Sequence, residues 1–70
     1  MMKLSARNQI KGTIVDIRKG VTTALLRVDI GGGEIITASI TNEAVDDLGL
    51  APGQVVSAVF KASSVMIGVT

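Results

Sequence analysis

The sequence contains no cysteine, histidine, tryptophan or tyrosine, and only one phenylalanine and one proline among its 70 residues. Without cysteine there is neither a disulfide nor a thiol nucleophile. Without histidine there is no imidazole base, and the common zinc sites are excluded. The one aromatic, Phe60, cannot build a stacking platform for single-stranded nucleic acid, where each base–aromatic contact contributes about 1–3 kcal/mol. Seven basic against six acidic residues give a net charge of +1 and no basic stripe, so nucleic acid is not an expected partner. No apolar run approaches the roughly 20 residues that span a membrane. The opening "MMKLSARN" has no apolar core of signal-peptide length. A cytoplasmic protein without a membrane partner is the expectation.

What is abundant is aliphatic. Hydrophobic residues make up 47% of the chain, mostly Val, Ile, Ala and Leu. A domain of this length buries only about 60% of its unfolded surface, so there is more apolar material than one small core needs. Small domains are usually reinforced by disulfides, a structural metal or oligomerisation. Disulfides and the common zinc sites are excluded by residue type, and self-association is the remaining remedy expected.

Glycine turns divide the chain into short strands. "QIKGTIVDIRKG" reads as a first strand from about Gln9 to Arg18, with a phase change near Gly12 of the kind a bulge produces. "VTTALLRVDI" alternates, with Ala24, Leu26, Val28 and Ile30 on one face. Gly31-Gly32-Gly33 signals a hairpin into "EIITASI", where Ile36, Ala38 and Ile40 are in phase. "TNEAVDDLGLAPG" is the one candidate helix, capped by Thr41 or Asn42 and ended by Gly49 before Pro52-Gly53. "QVVSAVFK" and "SVMIGV" complete the pattern as two last strands joined through "ASS". The expected fold is all-β, a five-stranded OB-like Greek-key barrel with one short helix between strands 3 and 4. On the last two strands Val55, Val59 and Met66 oppose Val56, Phe60, Val65 and Ile67. A monomer buries one such face, so the second implies another subunit.

No catalytic constellation emerges, and the chain is not expected to be an enzyme. Asp46 and Asp47 are adjacent on a short helix, point apart and read as solvated carboxylates. "GGGE" lacks the Lys-Ser/Thr and the following helix of a phosphate loop, and reads as a plain turn. Two polar clusters remain: Ser5-Ala6-Arg7-Asn8 and Lys61-Ala62-Ser63-Ser64. Both offer donors and neither holds a carboxylate. A small oxyanion needs that inventory, because its oxygens only accept. The plainer alternative is that Arg7 caps a sheet edge and Lys61 snorkels from a strand end.

At these clusters the sequence resembles a known family. "SARNQIKG", "ITNEAVDDLGLAPG" and "FKASSVMIGV" are similar to the molbindins, small cytoplasmic molybdate-binding proteins built from a single Mop-type domain. The resemblance runs over essentially the whole chain and implies one Mop-type (TOBE-like) domain across residues 1–70. The same domain ends molybdate-transporter ATPases and molybdate-responsive regulators, whose other domains this length does not accommodate. It implies an OB-like barrel assembled as a hexamer, a trimer of dimers, holding molybdate or tungstate between subunits for storage or homeostasis, with no cofactor and no free metal cation. Carried over by position, Ser5, Ala6 (backbone), Arg7, Lys61, Ala62 (backbone) and Ser63 form the main site, the two segments coming from neighbouring subunits. Weaker candidates are Asn8, Thr41 and a second site at Lys19, Gly20, Val21 and Thr22. Two departures stand out. Ser64 replaces a tryptophan common in relatives, and Ala44 and Asp47 stand where regulators place further ligands, so those roles are not transferred. The alternative function is a non-catalytic module docking onto a molybdate transporter or regulator.

Overall fold

The computed structural model describes residues 5–70; residues 1–4, the head of the stretch read for a signal-peptide core, lie outside it. Four antiparallel strands form one curled sheet: β1 (Asn8–Lys19), β2 (Thr23–Gly31), β3 (Glu34–Thr41) and β4 (Val55–Phe60), in the order β3-β2-β1-β4. A helix α1 (Asn42–Leu48) joins β3 to β4, and a 3-10 turn (Ala62–Ser64) follows β4. Among the described residues no helix is long and apolar enough to cross a membrane.

The strand β1 is long enough to serve two partners. Its first half, Asn8 to Thr13, pairs with β4, and its second half, Thr13 to Lys19, pairs with β2. Between them Ile14 faces Val28 and Asp16 faces Arg27, so Val15 is the extra residue of a bulge. The bulge switches the inward phase from Ile10, Gly12 and Ile14 to Ile17 and leaves Val15 47% exposed. The phase change expected at Gly12 therefore belongs to Val15. Gly12 meets a separate steric demand, since a Cβ there would lie 2.6 Å from Val28 Cγ1 and 2.7 Å from the Asp29 carbonyl oxygen. The sheet folds over itself at that corner, and only a residue without a side chain fits.

The alternation in β2 is realised as expected, with Ala24, Leu26 and Val28 buried and Leu25 and Arg27 exposed. The strand starts at Thr23, not Val21, because the Gly20 N–H donates to the Thr23 carbonyl at 2.7 Å and closes a turn. Gly31, Gly32 and Gly33 all have positive φ, which lets the β2–β3 hairpin close, and Asp29 Oδ1 accepts from the Gly31 N–H at 2.8 Å. Thr41 is the N-cap of α1, its Oγ1 accepting from the Ala44 N–H at 3.0 Å. Gly49 ends the helix in the left-handed conformation. The loop that follows is stitched to the bulge: the Gly53 N–H donates to the Ile14 carbonyl (2.7 Å) and the Ile14 N–H to the Gln54 carbonyl (2.9 Å).

The core is small. Ile14, Ala24, Leu26, Val28 and Val45 are buried, with Ile17, Ile30, Ala38, Ile40, Leu50 and Val56 packed around them. The surplus apolar surface read from composition is visible at Val55, Val59, Val65, Met66, Ile67 and Val69, all exposed. The fifth strand expected at "SVMIGV" does not form: its first serine closes the 3-10 turn and residues 65–70 have no regular structure. A fifth strand needs partners for its backbone groups, and in the single chain this segment leaves the sheet. The free edges of β3 and β4 consequently flank an open apolar groove of about 810 Å³.

Candidate functional site

The antiparallel pairing of β1 with β4 decides where the polar clusters go. Asn8 stands opposite Phe60, the outermost pair of that ladder. Ser5, Ala6 and Arg7 immediately precede β1, while Lys61, Ala62 and Ser63 immediately follow β4. The two segments, 54 positions apart when Arg7 is counted against Lys61, thus meet at one end of the sheet within a single chain. Ser5, Arg7, Lys61, Ala62 and Ser63 are exposed; Ala6 and Asn8 are half-buried. Among the described residues, no side-chain hydrogen bond or ion pair engages any of them.

Beyond Lys61 the chain tightens into the 3-10 turn. The Ser64 N–H donates to the Lys61 carbonyl at 2.9 Å and the Val65 N–H to the Ala62 carbonyl at 3.2 Å. The N–H groups of Ala62 and Ser63 stand at the open start of that turn, where a helical turn has no internal acceptor for them. Charge is sorted the same way. All six acidic residues lie between Asp16 and Asp47, whereas Lys3, Arg7, Lys11 and Lys61 lie outside that stretch. Arg7 and Lys61 flank the β1/β4 pair and β4 itself holds no acid, while Asp29 and Glu34 lie on the β2–β3 hairpin beside the first half of β1. The sorting is legible in the sequence, but it acquires meaning only when the pairing gathers both termini.

The other end of β1 holds the weaker candidates. Lys19, Gly20, Val21 and Thr22 form the β1–β2 turn, and Thr41 lies beside it, opposite Thr23. The main and the weaker groups are separated by the 12 residues of β1. Here the polar groups are already engaged. Lys19 Nζ meets Asp46 Oδ1 at 2.6 Å. Asn42 Nδ2 donates to the carbonyls of Gly20 (2.9 Å) and Val21 (3.3 Å), and its N–H donates to the Thr22 carbonyl (2.9 Å). Its Oδ1 is buried without a partner, and what the turn presents to a visitor beside Lys19 is the exposed Asp46 carboxylate. Sequence reasoning does not find Asn42 and Asp46 as partners of this turn. Asn42 carries a weak signal as a cap-region residue, and the Lys19–Asp46 pair, 27 positions apart, carries none.

Comparison with known proteins places this arrangement. The model of the TOBE domain matches residues 4–67. The chain belongs to the TOBE domain family. This TOBE domain is 46% identical over 68 residues to a probable molybdenum-pterin-binding protein of Haemophilus influenzae, covering 97% of this chain and 99% of that one. Among solved structures it is similar to a molybdate-binding protein from Sporomusa ovata, with a TM-score of 0.89 at 38% identity over 94% of this chain and 97% of the other. It is also similar to the cytoplasmic molybdate-binding protein ModG with molybdate bound, with a TM-score of 0.91 at 46% identity over 99% of this chain. The TOBE domain described here spans 49% of that ModG chain.

Proposed function

We propose that this TOBE domain binds molybdate, and tungstate with it, as an intracellular store or buffer. The observation that carries this reading is the meeting of two donor-only segments at one end of the sheet. Ser5, Arg7, Lys61 and Ser63 offer side-chain donors, and Ala6 and Ala62 offer backbone N–H groups. Charge-assisted hydrogen bonds contribute about 1.5–3 kcal/mol each, so four or five hold a dianion against water. One sheet end reaches a tetrahedral anion from one side only, which favours a second copy of the chain closing the other side. The reading therefore includes a homo-oligomer, a hexamer built as a trimer of dimers, with anions between subunits. In it the four-stranded sheet is the larger part of a five-stranded OB-like Greek-key barrel, and residues 1–70 act as one non-catalytic domain. The relatives named as molybdate-binding, one of them described as cytoplasmic, support both the ligand and the location.

The two ends of β1 rank the candidate sites. The turn at Lys19 to Thr22 brings the Asp46 carboxylate beside its only ammonium, which repels a dianion, so it is the weaker site. Molybdate and tungstate have nearly equal size and charge and are not separated by such donors. Phosphate, partly protonated near neutral pH, leaves its O–H unpaired in a donor-only site at a cost of about 1–3 kcal/mol. Calorimetric titration with molybdate, with sulfate and phosphate as competitors, tests the proposal. Heat of binding at micromolar molybdate, weakly displaced by phosphate, is expected; no heat up to millimolar molybdate overturns it.

A further inference from the structure

Six cationic side chains lie among the described residues, and they divide by what faces them. Arg18 Nε meets Asp16 Oδ2 at 3.1 Å, Lys19 Nζ meets Asp46 Oδ1 at 2.6 Å, and Arg27 stands opposite Asp16 across the β1–β2 register. Lys11 lines a cleft of about 390 Å³ together with Asp29. Each of these four has a carboxylate of its own chain beside or opposite it. Arg7 and Lys61 differ. Neither makes an ion pair among the described residues, β4 holds no acid, and the two exposed side chains flank the Asn8–Phe60 pair.

Two uncompensated cations set a condition that neutral donors do not. A hydroxyl or a backbone N–H bonds an oxygen of a tetrahedral anion whether the whole anion carries one charge or two. A cation contributes in proportion to the charge it faces, so every further unit on the anion is attracted by both Arg7 and Lys61. The opposing cost is hydration, which is larger for a dianion than for a monoanion. Ser5, Ser63 and the N–H groups of Ala6 and Ala62 offset it by standing in for the water displaced.

We propose that the site selects its anion by charge, taking tetrahedral oxyanions with two full negative charges at neutral pH and rejecting singly charged ones of the same size. The proposal rests on the oxyanion reading above and adds a filter that neither size nor donor count supplies. Tungstate and perrhenate separate the two properties, since both are tetrahedral and of nearly equal size, the first a dianion and the second a monoanion. One further unit of charge at about 4 Å from two cations in bulk water corresponds to a preference of about thirtyfold, or about 2 kcal/mol. With one cation removed the preference falls to its square root, about fivefold.

Calorimetric titration of the native chain with sodium tungstate and with sodium perrhenate at about pH 8 tests the filter. Tungstate is expected to bind about thirtyfold more tightly. Perrhenate binding within about threefold of tungstate overturns the proposal and leaves the oxyanion reading standing. Absence of heat with tungstate and molybdate alike overturns both. Lys61→Met keeps the side-chain stem and removes the charge, so the ratio should fall to about fivefold, and Lys61→Arg should restore it. Equal weakening of both anions by Lys61→Met shows a plain donor or structural role and overturns the proposal. Lys11→Met removes a cation four positions from Arg7, about 13 Å along an extended chain, and should change the ratio less than about twofold at physiological ionic strength. A change as large as that of Lys61→Met assigns the preference to overall charge and also overturns it.

Discussion

The two ends of β1 begin from similar chemistry and finish differently. Each has a cation beside small polar residues: Arg7 with Ser5 and Asn8 at one end, Lys19 with Thr22 and Thr41 at the other. At the Lys19 end the fold spends those groups on itself. Lys19 holds Asp46, Asn42 clamps the carbonyls of the turn, and Thr41 caps the helix. At the Arg7 end the nearest acid in sequence is Asp16, and the pairing with β4, which holds no acid, adds Lys61 and Ser63 to the same cluster. A cluster of donors acts as a recognition surface only where its own chain supplies no acceptor. The difference between the ends is therefore made by where the acids fall, not by where the bases do.

That comparison can be broken in order of size. Arg7→Ala is expected to weaken molybdate binding more than tenfold by calorimetry, matching the loss of one or two charge-assisted bonds at about 1.5–3 kcal/mol each, with the assembly intact by light scattering. Unchanged affinity would remove Arg7 from the site. Asn42→Ala acts at the opposite end and on the opposite property. It should cost about 1–2 kcal/mol of stability in urea unfolding, through the two lost bonds to Gly20 and Val21, while molybdate affinity moves less than twofold. Thr41→Ala removes the helix cap and should cost about 1 kcal/mol of stability, again without moving affinity. Lys19→Ala is the smallest. Its exposed pair with Asp46 contributes at most about 1 kcal/mol, and anion affinity should hardly change. If Lys19→Ala weakened molybdate binding as much as Arg7→Ala, the two ends would be equivalent and the ranking of the sites would fall.

Most local features are legible in the sequence because their causes are local. The alternation in β2, the glycine hairpin, and the Thr41 and Gly49 caps all depend on residues within a few positions of one another. The bulge lies three residues from its expected place because the phase change and the glycine are separate events. Val15 shifts the register, while Gly12 answers a close approach of Val28 and Asp29 that only tertiary structure creates. The strand expected at "SVMIGV" has the right residues, but a strand is a relation between segments and the single chain supplies no neighbour for it. The donor clusters are legible as residue types, and their meeting within one chain follows from the β1–β4 register, which no local pattern encodes.

The sorting of charge along the chain has a kinetic consequence. A net charge of +1 describes the whole molecule but neither of its halves, since every acid lies between Asp16 and Asp47. Residues 16–47 hold all six acids against three bases, while the remaining residues hold four bases and no acid, and the donor cluster lies among the latter. A diffusing dianion is repelled along the helix side and drawn toward residues 5–7 and 61–63, over a reach of about 8 Å at physiological ionic strength. Added salt shortens that reach without touching the short bonds made after arrival. Rising ionic strength should therefore slow capture and leave the rate of escape almost unaltered.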